Sequence, residues 1–150
     1  MIGLLWDNGV GEAVLARSSS GALAHDDGLG TAVLLSLFID RRAEPGARLP
    51  DERAFVAFGG RPDRRGSPLD VLAPDDRWGS HLWLLDREST TTAVLRQAER
   101  YARAALQWMI EDGLITALQV AASYGREAWM DLQIDAALPD GSVFSLTVPV

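Results

Sequence analysis

The C-terminal third of the chain alternates apolar and polar positions with a period of two. Leu118, Val120 and Ala122 alternate with polar or small residues, as do Ala128, Met130, Leu132 and Ile134, with Tyr124-Gly125-Arg126 as a turn between the runs. Pro139-Asp140-Gly141 marks a second turn and leads into Val143-Phe144-Ser145-Leu146-Thr147-Val148-Pro149-Val150. Three strands joined by short turns predict an antiparallel meander whose last strand lies at an edge.

Before the meander the period is that of a helix. Val94, Ala98, Tyr101, Ala105 and Trp108 form one stripe, and Arg96, Arg100, Arg103, Gln107 and Glu111 form the opposite one. Ser89 or Thr91 supplies the N-cap and Gly113 the terminating glycine, so a helix is expected over about 90–112. Glu99 precedes Arg103 by four residues, the favourable order for an ion pair along a helix. Alanines at 98, 102, 104 and 105 allow close approach of another helix.

A second helix is predicted over about 27–42. Asp26-Asp27 offers a cap, Arg41-Arg42 suits the C-terminal dipole, and the run from Leu29 to Ile39 is apolar nearly all round, the mark of a buried helix. The first 25 residues read as extended structure with turns at Asp7-Asn8-Gly9 and Ser18-Ser19-Ser20-Gly21, with a short strand near Ala13–Ala16. Trp78 to Arg87 is a short ordered segment, strand or helical turn. Residues 43–77 hold five of the seven prolines and read as one long irregular loop, expected to be mobile until something holds it. The fold class that follows is α+β: two main helices packed on a small antiparallel sheet ending in a three-stranded meander, all within one domain of 150 residues.

Charge is unevenly placed. The net −7 divides into −4 over residues 1–40, about +2 over 41–108 and −5 over 109–150, and all fourteen basic residues are arginine. An acidic total without a basic stripe argues against nucleic acid as the main partner. No apolar run reaches the ~20 residues that span a bilayer, so no membrane partner is expected. The N-terminal residues lack a basic signal-like region, and cysteine is absent, which removes disulfides and thiolate chemistry and suits a protein matured in a cytoplasm.

Candidate chemistry is sparse. His25-Asp26-Asp27 is the one cluster with metal-ligand residue types, and helix capping accounts for it at less cost; no metal and no cofactor is expected. Glu12, Asp26, Asp27, Glu88, Glu111 and Asp112 are the carboxylates that a glycosidase-like acid and base pair would draw on, yet nothing singles out two of them. There is no nucleophile elbow and no Gly-x-Gly-x-x-Gly. What remains are surfaces suited to gripping a protein: Arg61, Arg64 and Arg65 in the loop, the helix face of Arg96, Arg100 and Arg103, and the last strand with Val143, Phe144, Leu146 and Val148.

The order of segments carries a resemblance. Asp26-Asp27-Gly28-Leu29 leads into Thr31–Ala43. An Arg-Arg-Gly loop and Gly79-Ser80-His81-Leu82-Trp83-Leu84-Leu85 follow. Then come a helix ending Trp108-Met109-Ile110-Glu111-Asp112-Gly113, and Pro139-Asp140-Gly141 before the final strand. Over roughly residues 20–150 this resembles the baseplate wedge family of Mu-type phages and prophages, the product of gene 46 of that phage, itself similar to the small T-even wedge protein that starts sheath assembly. The resemblance implies a non-enzymatic structural subunit of a contractile tail. It implies about six copies round the tail axis, contacting other wedge and hub proteins and the first sheath ring, in a virion assembled in the bacterial cytoplasm. It also implies sheath attachment by strands added to an exposed sheet edge, for which Val143–Val150 is the natural choice. A lysozyme-like tail enzyme is the alternative that such relatives suggest. The T-even relatives carry a Glu-Pro-Arg signature near the end of the long helix; here that region reads Glu111-Asp112-Gly113, and Glu44-Pro45 is followed by Gly46, so contacts made by that signature are not transferred.

Overall fold

The computed structural model describes residues 3–7, 12–22, 28–50, 63–67, 70, 78–86, 88–125 and 129–150. In chain order these form β1 (Leu4–Asp7), β2 (Glu12–Leu15), α1 (Leu29–Phe38), a 3-10 helix (Leu82–Leu85), α2 (Thr92–Glu111), β3 (Ala117–Tyr124), β4 (Met130–Ala137) and β5 (Val143–Pro149). The α+β class is as expected, with a two-stranded sheet β1-β2 and the antiparallel meander β3-β4-β5.

The meander follows directly from its alternation. Register sets Val120, Ile134 and Leu146 side by side, and likewise Ala122, Leu132 and Val148. These side chains share one face, and Leu132, Ile134 and Val148 are wholly buried there. The opposite face carries Gln119, Asp135 and Ser145 in one cross-strand row and Ala121, Gln133 and Thr147 in the next. A one-residue slip would turn the apolar set out into water, so the pattern fixes the parity of the register, and the short turns choose among registers of that parity.

Helix α2 lies on the apolar face. Its N-cap is Thr91, whose Oγ1 accepts from Val94 N at 3.3 Å. At its far end Gly113 (φ 71) and Leu114 donate to Ile110 O and Met109 O, at 3.1 and 2.9 Å, which is a Schellman ending and explains the glycine. The buried stripe is Ala98, Ala102, Leu106 and Met109, with Leu95 packed beside it. It is rotated from the predicted stripe of Val94, Ala98, Tyr101, Ala105 and Trp108, of which Ala98 and Ala105 are buried, Val94 and Tyr101 half-buried and Trp108 exposed. Both stripes fit helical spacing, and tertiary contacts choose between them: the sheet takes the alanine-rich one, leaving Tyr101 edge-on to His81 and Trp108 at the seam with α1, its Nε1 donating to Ser36 Oγ at 3.1 Å.

Helix α1 is shorter than predicted at both ends. Its N-cap is Gly28 (φ 91), with no side-chain cap bond, and Asp26 and Asp27 lie outside the described residues. At the other end Ile39 turns extended, and Asp40 to Ala43 leave the helix to run beside Ser80. Ser80 N donates to Ile39 O at 2.9 Å, Arg41 N to Ser80 O at 2.8 Å, and Ser80 Oγ meets the orphaned helix carbonyl of Leu37 at 2.5 Å. Arg41 and Arg42 therefore do not sit in the last turn. Val33, Leu34 and Leu37 join the core, while Phe38 turns outward to stack on Trp6 of β1, centroids 4.4 Å apart.

Residues 43–50 and 63–67 are anchored. Ala43, Leu49 and Trp83 bury together in a second small cluster, and Ala43 N donates to Arg64 O at 3.1 Å. Residues 51–62, 68–69 and 71–77 of the loop lie outside the described residues. Trp83 is core, as its apolar setting suggests, whereas Trp78 and Trp129 are exposed.

Candidate protein interface

The meander has two edges, and they differ. Met130 and Val150 exchange both backbone bonds, Val150 N to Met130 O at 2.7 Å and the reverse at 3.4 Å. Even-numbered residues of β4 thus bond to β5 and odd-numbered ones to β3, since an antiparallel ladder alternates. By the same parity Phe144, Leu146 and Val148 spend their backbone groups on β4 and turn their side chains inward, Val148 fully buried and the other two partly so. The outward backbone groups of the last strand belong to Val143, Ser145, Thr147 and Pro149. The Ser145 and Thr147 amides have no backbone partner among the described residues. Pro149 falls where its missing N–H costs no ladder bond. Val143, 66% exposed, begins this edge.

On the other edge, Val120 and Ala122 of β3 point their backbone groups away from β4, and two side chains of α2 meet them. Arg103 Nη2 donates to Val120 O at 2.9 Å, and Ala122 N donates to Glu99 Oε1 at 3.0 Å. The Glu99–Arg103 ion pair suggested by their spacing is absent, because both side chains are committed to the strand.

The arginines have distinct surroundings. Arg64 donates to the carbonyl oxygens of Glu44 and Pro45, at 2.6 and 2.8 Å. Arg65, in the left-handed region at φ 42, pairs with Asp40 at 2.6 Å and Asp86 at 3.5 Å and lies 4.9 Å over the Trp83 ring. The hydrogen bond to Asp40, aided by the charges of Asp40, Asp86 and Asp63 and opposed by burial, raises its pKa. The Arg64 guanidinium thus binds the start of its own loop, and that of Arg65 binds the segments on either side of the loop. Arg96 and Arg100 are exposed on the outer face of α2, where Arg100 contacts Gln97 Oε1. Arg61 lies outside the described residues.

Glu12, Glu88 and the adjacent Glu111 and Asp112 are exposed and lie at three separate places; Glu88 and Glu111 flank opposite ends of a helix about 30 Å long. Among the described residues no group of three His, Asp or Glu side chains is placed to hold a metal, and no helix is long and apolar enough to cross a membrane. A shallow groove of about 330 Å³ between the 3-10 helix and the start of α2 is lined by Leu84, Leu85, Val94 and Tyr101, with Arg48 and Glu88 as its charged groups.

Sequence reasoning pointed to the last strand through its inward-facing residues and missed Glu99 as a strand partner. For the first, the alternation marks only an apolar face; pairing with β4 decides which backbone groups point outward, those of the polar Ser145 and Thr147 on β5 but of the inward-facing Val120 and Ala122 on β3. Nothing local announces the second.

Fold and surface together define a small α+β protein whose central sheet has helix side chains on two backbone groups of one edge and none on the outward amides of the other among the described residues. Residues 29–143 match the family model described as Phage protein GP46. The chain is 40% identical over 142 residues to the baseplate protein gp46 of Escherichia phage Mu, covering 95% of this chain and 90% of that one. It is 35% identical over 141 residues to the Mu-like prophage FluMu protein gp46 of Haemophilus influenzae, covering 94% and 89%. The chain belongs to this gp46 family of Mu-type phages and prophages.

Proposed function

We propose that this protein is a non-enzymatic structural subunit of a contractile-tail baseplate, a wedge component that joins wedge and hub proteins to the first sheath ring. Its relative in phage Mu is named a baseplate protein. The observation that carries the finer reading is the open edge of β5. Outward amides at Ser145 and Thr147 beside half-buried Phe144 and Leu146 suit an added strand, whose backbone completes the ladder and whose alternate apolar side chains cover those two residues. Six-fold placement round the tail axis would present about six such edges to one sheath ring. Arg96 and Arg100 on the outer helix face are the cations we assign to contact with an acidic neighbouring subunit.

Thr147→Pro tests the attachment. Proline is tolerated where the N–H faces outward at an edge, so the fold survives while a ladder donor is lost. Phage carrying this variant should assemble baseplates and tubes that fail to nucleate sheath, as seen by electron microscopy. Sheathed tails at wild-type frequency would sink the proposal.

A further inference from the structure

We propose that Glu99 and Arg103 are guards that close the β3 edge to strand addition, so that the sheet extends in one direction only, past β5. A sheet edge with unmet backbone groups is a template for any extended chain, and a two-edged sheet propagates. Of the four backbone groups that Val120 and Ala122 turn outward, the two nearest Ala121, Val120 O and Ala122 N, are already taken by Arg103 and Glu99, so an incoming strand loses half of its ladder bonds there. The match is geometric. Four residues of helix advance about 6 Å and two residues of strand about 6.6 Å, so an i, i+4 pair on α2 lies over an i, i+2 pair on β3. The helix runs antiparallel to the strand: the later helix residue reaches the earlier strand residue. Each bond joins a charged side chain to a backbone group, the stronger kind. The outward backbone amides of Ser145 and Thr147 have no such guard among the described residues. Closure of β3 is a property of this chain alone; its consequence, that an arriving strand is directed to β5, rests on the strand-addition reading above.

Amide exchange followed by NMR on the full chain tests the closure. In the wild type the Ala122 amide should be protected, and the Ser145 and Thr147 amides should exchange quickly. Glu99→Ala should lower Ala122 protection at least about tenfold while the amides of Leu132 and Ile134 in the central strand keep theirs. Glu99→Gln, which retains a carbonyl oxygen, should preserve most of it. Sedimentation then reads the consequence. A chain with one open edge can pair once and stop, whereas Glu99→Ala/Arg103→Ala, with two, should form assemblies larger than dimers as concentration rises. Adding Thr147→Pro to that pair should cap the assemblies at dimers. An Ala122 amide as fast as Ser145 in the wild type overturns the proposal. So does a double variant that keeps its β4 protection yet sediments as the wild type does. Failure of Thr147→Pro to affect sheath would remove the attachment reading and leave the exchange result at Ala122 standing.

Discussion

The guanidinium of Arg103 reaches the carbonyl oxygen of Val120, 2.9 Å away, and not the carboxylate of Glu99 one turn earlier on the same helix. An exposed ion pair at this spacing contributes only about 0.2–0.5 kcal/mol, while a hydrogen bond to a charged group contributes about 1.5–3 kcal/mol. The strand edge therefore wins the competition for both side chains. Arg103→Ala should lower unfolding free energy by about 1–2 kcal/mol, less than the full range because Arg103 is on the exposed face. Urea denaturation measures it, and a change below a few tenths would mean that the edge bond is idle.

The junction at Gly79 should tolerate no side chain. A Cβ there would stand 2.1 Å from Ile39 O, and the residue has φ +93. Gly79→Ala must break the Ser80–Ile39 bridge that ends α1 and should cost at least about 2 kcal/mol. Near-ultraviolet circular dichroism of Trp83, which packs in the adjoining small cluster, should change with it.

Arg65 joins three segments through Asp40, Asp86 and the Trp83 ring. The ion pairs are more than a third exposed, so Arg65→Ala should cost only about 1 kcal/mol in stability. Its larger effect should be local, as faster proteolysis within residues 43–77. Arg65→Lys should not restore protection, since an ammonium cannot serve two carboxylates and a ring face with one planar fork.

Leu132 is wholly buried between its cross-strand neighbours Ala122 and Val148. Leu132→Ala should cost about 2–5 kcal/mol by thermal or chemical denaturation, a substantial share of the stability of a domain this size.

Asp140 in the β4–β5 turn accepts from Ser142 Oγ at 2.6 Å and Ser142 N at 2.8 Å. These bonds, the hydroxyl's first, lower its pKa. A carboxylate with a lowered folded-state value contributes stability above its unfolded value of about 3.9, and loses it as pH falls through the folded one. Asp140→Asn should lower stability slightly at neutral pH, converge with the wild type in acid and so flatten the acid limb of the stability profile below about pH 4; an unaltered acid limb would count against the assignment.

Local pattern alone specified a good deal of this protein. The period-two runs determine β3, β4 and β5 and which of their side chains share the buried face, Val120, Leu132, Ile134 and Val148, while the short turns between them set the strand order. Thr91 and Gly113 determine the ends of α2, because capping is a matter of neighbouring atoms. The two arginines after α1 misled, since Ser80, about forty residues away, supplies the partner that ends the helix. The helix spacing of α2 fitted two stripes, and only packing against the sheet chose one. The inward face of β5 is visible in the alternation of Val143 to Val148, but the guarded groups of the β3 edge are not. They depend on α2 running antiparallel to β3 at the distance where Glu99 and Arg103 reach Ala122 and Val120, and that relation exists only once the chain has folded.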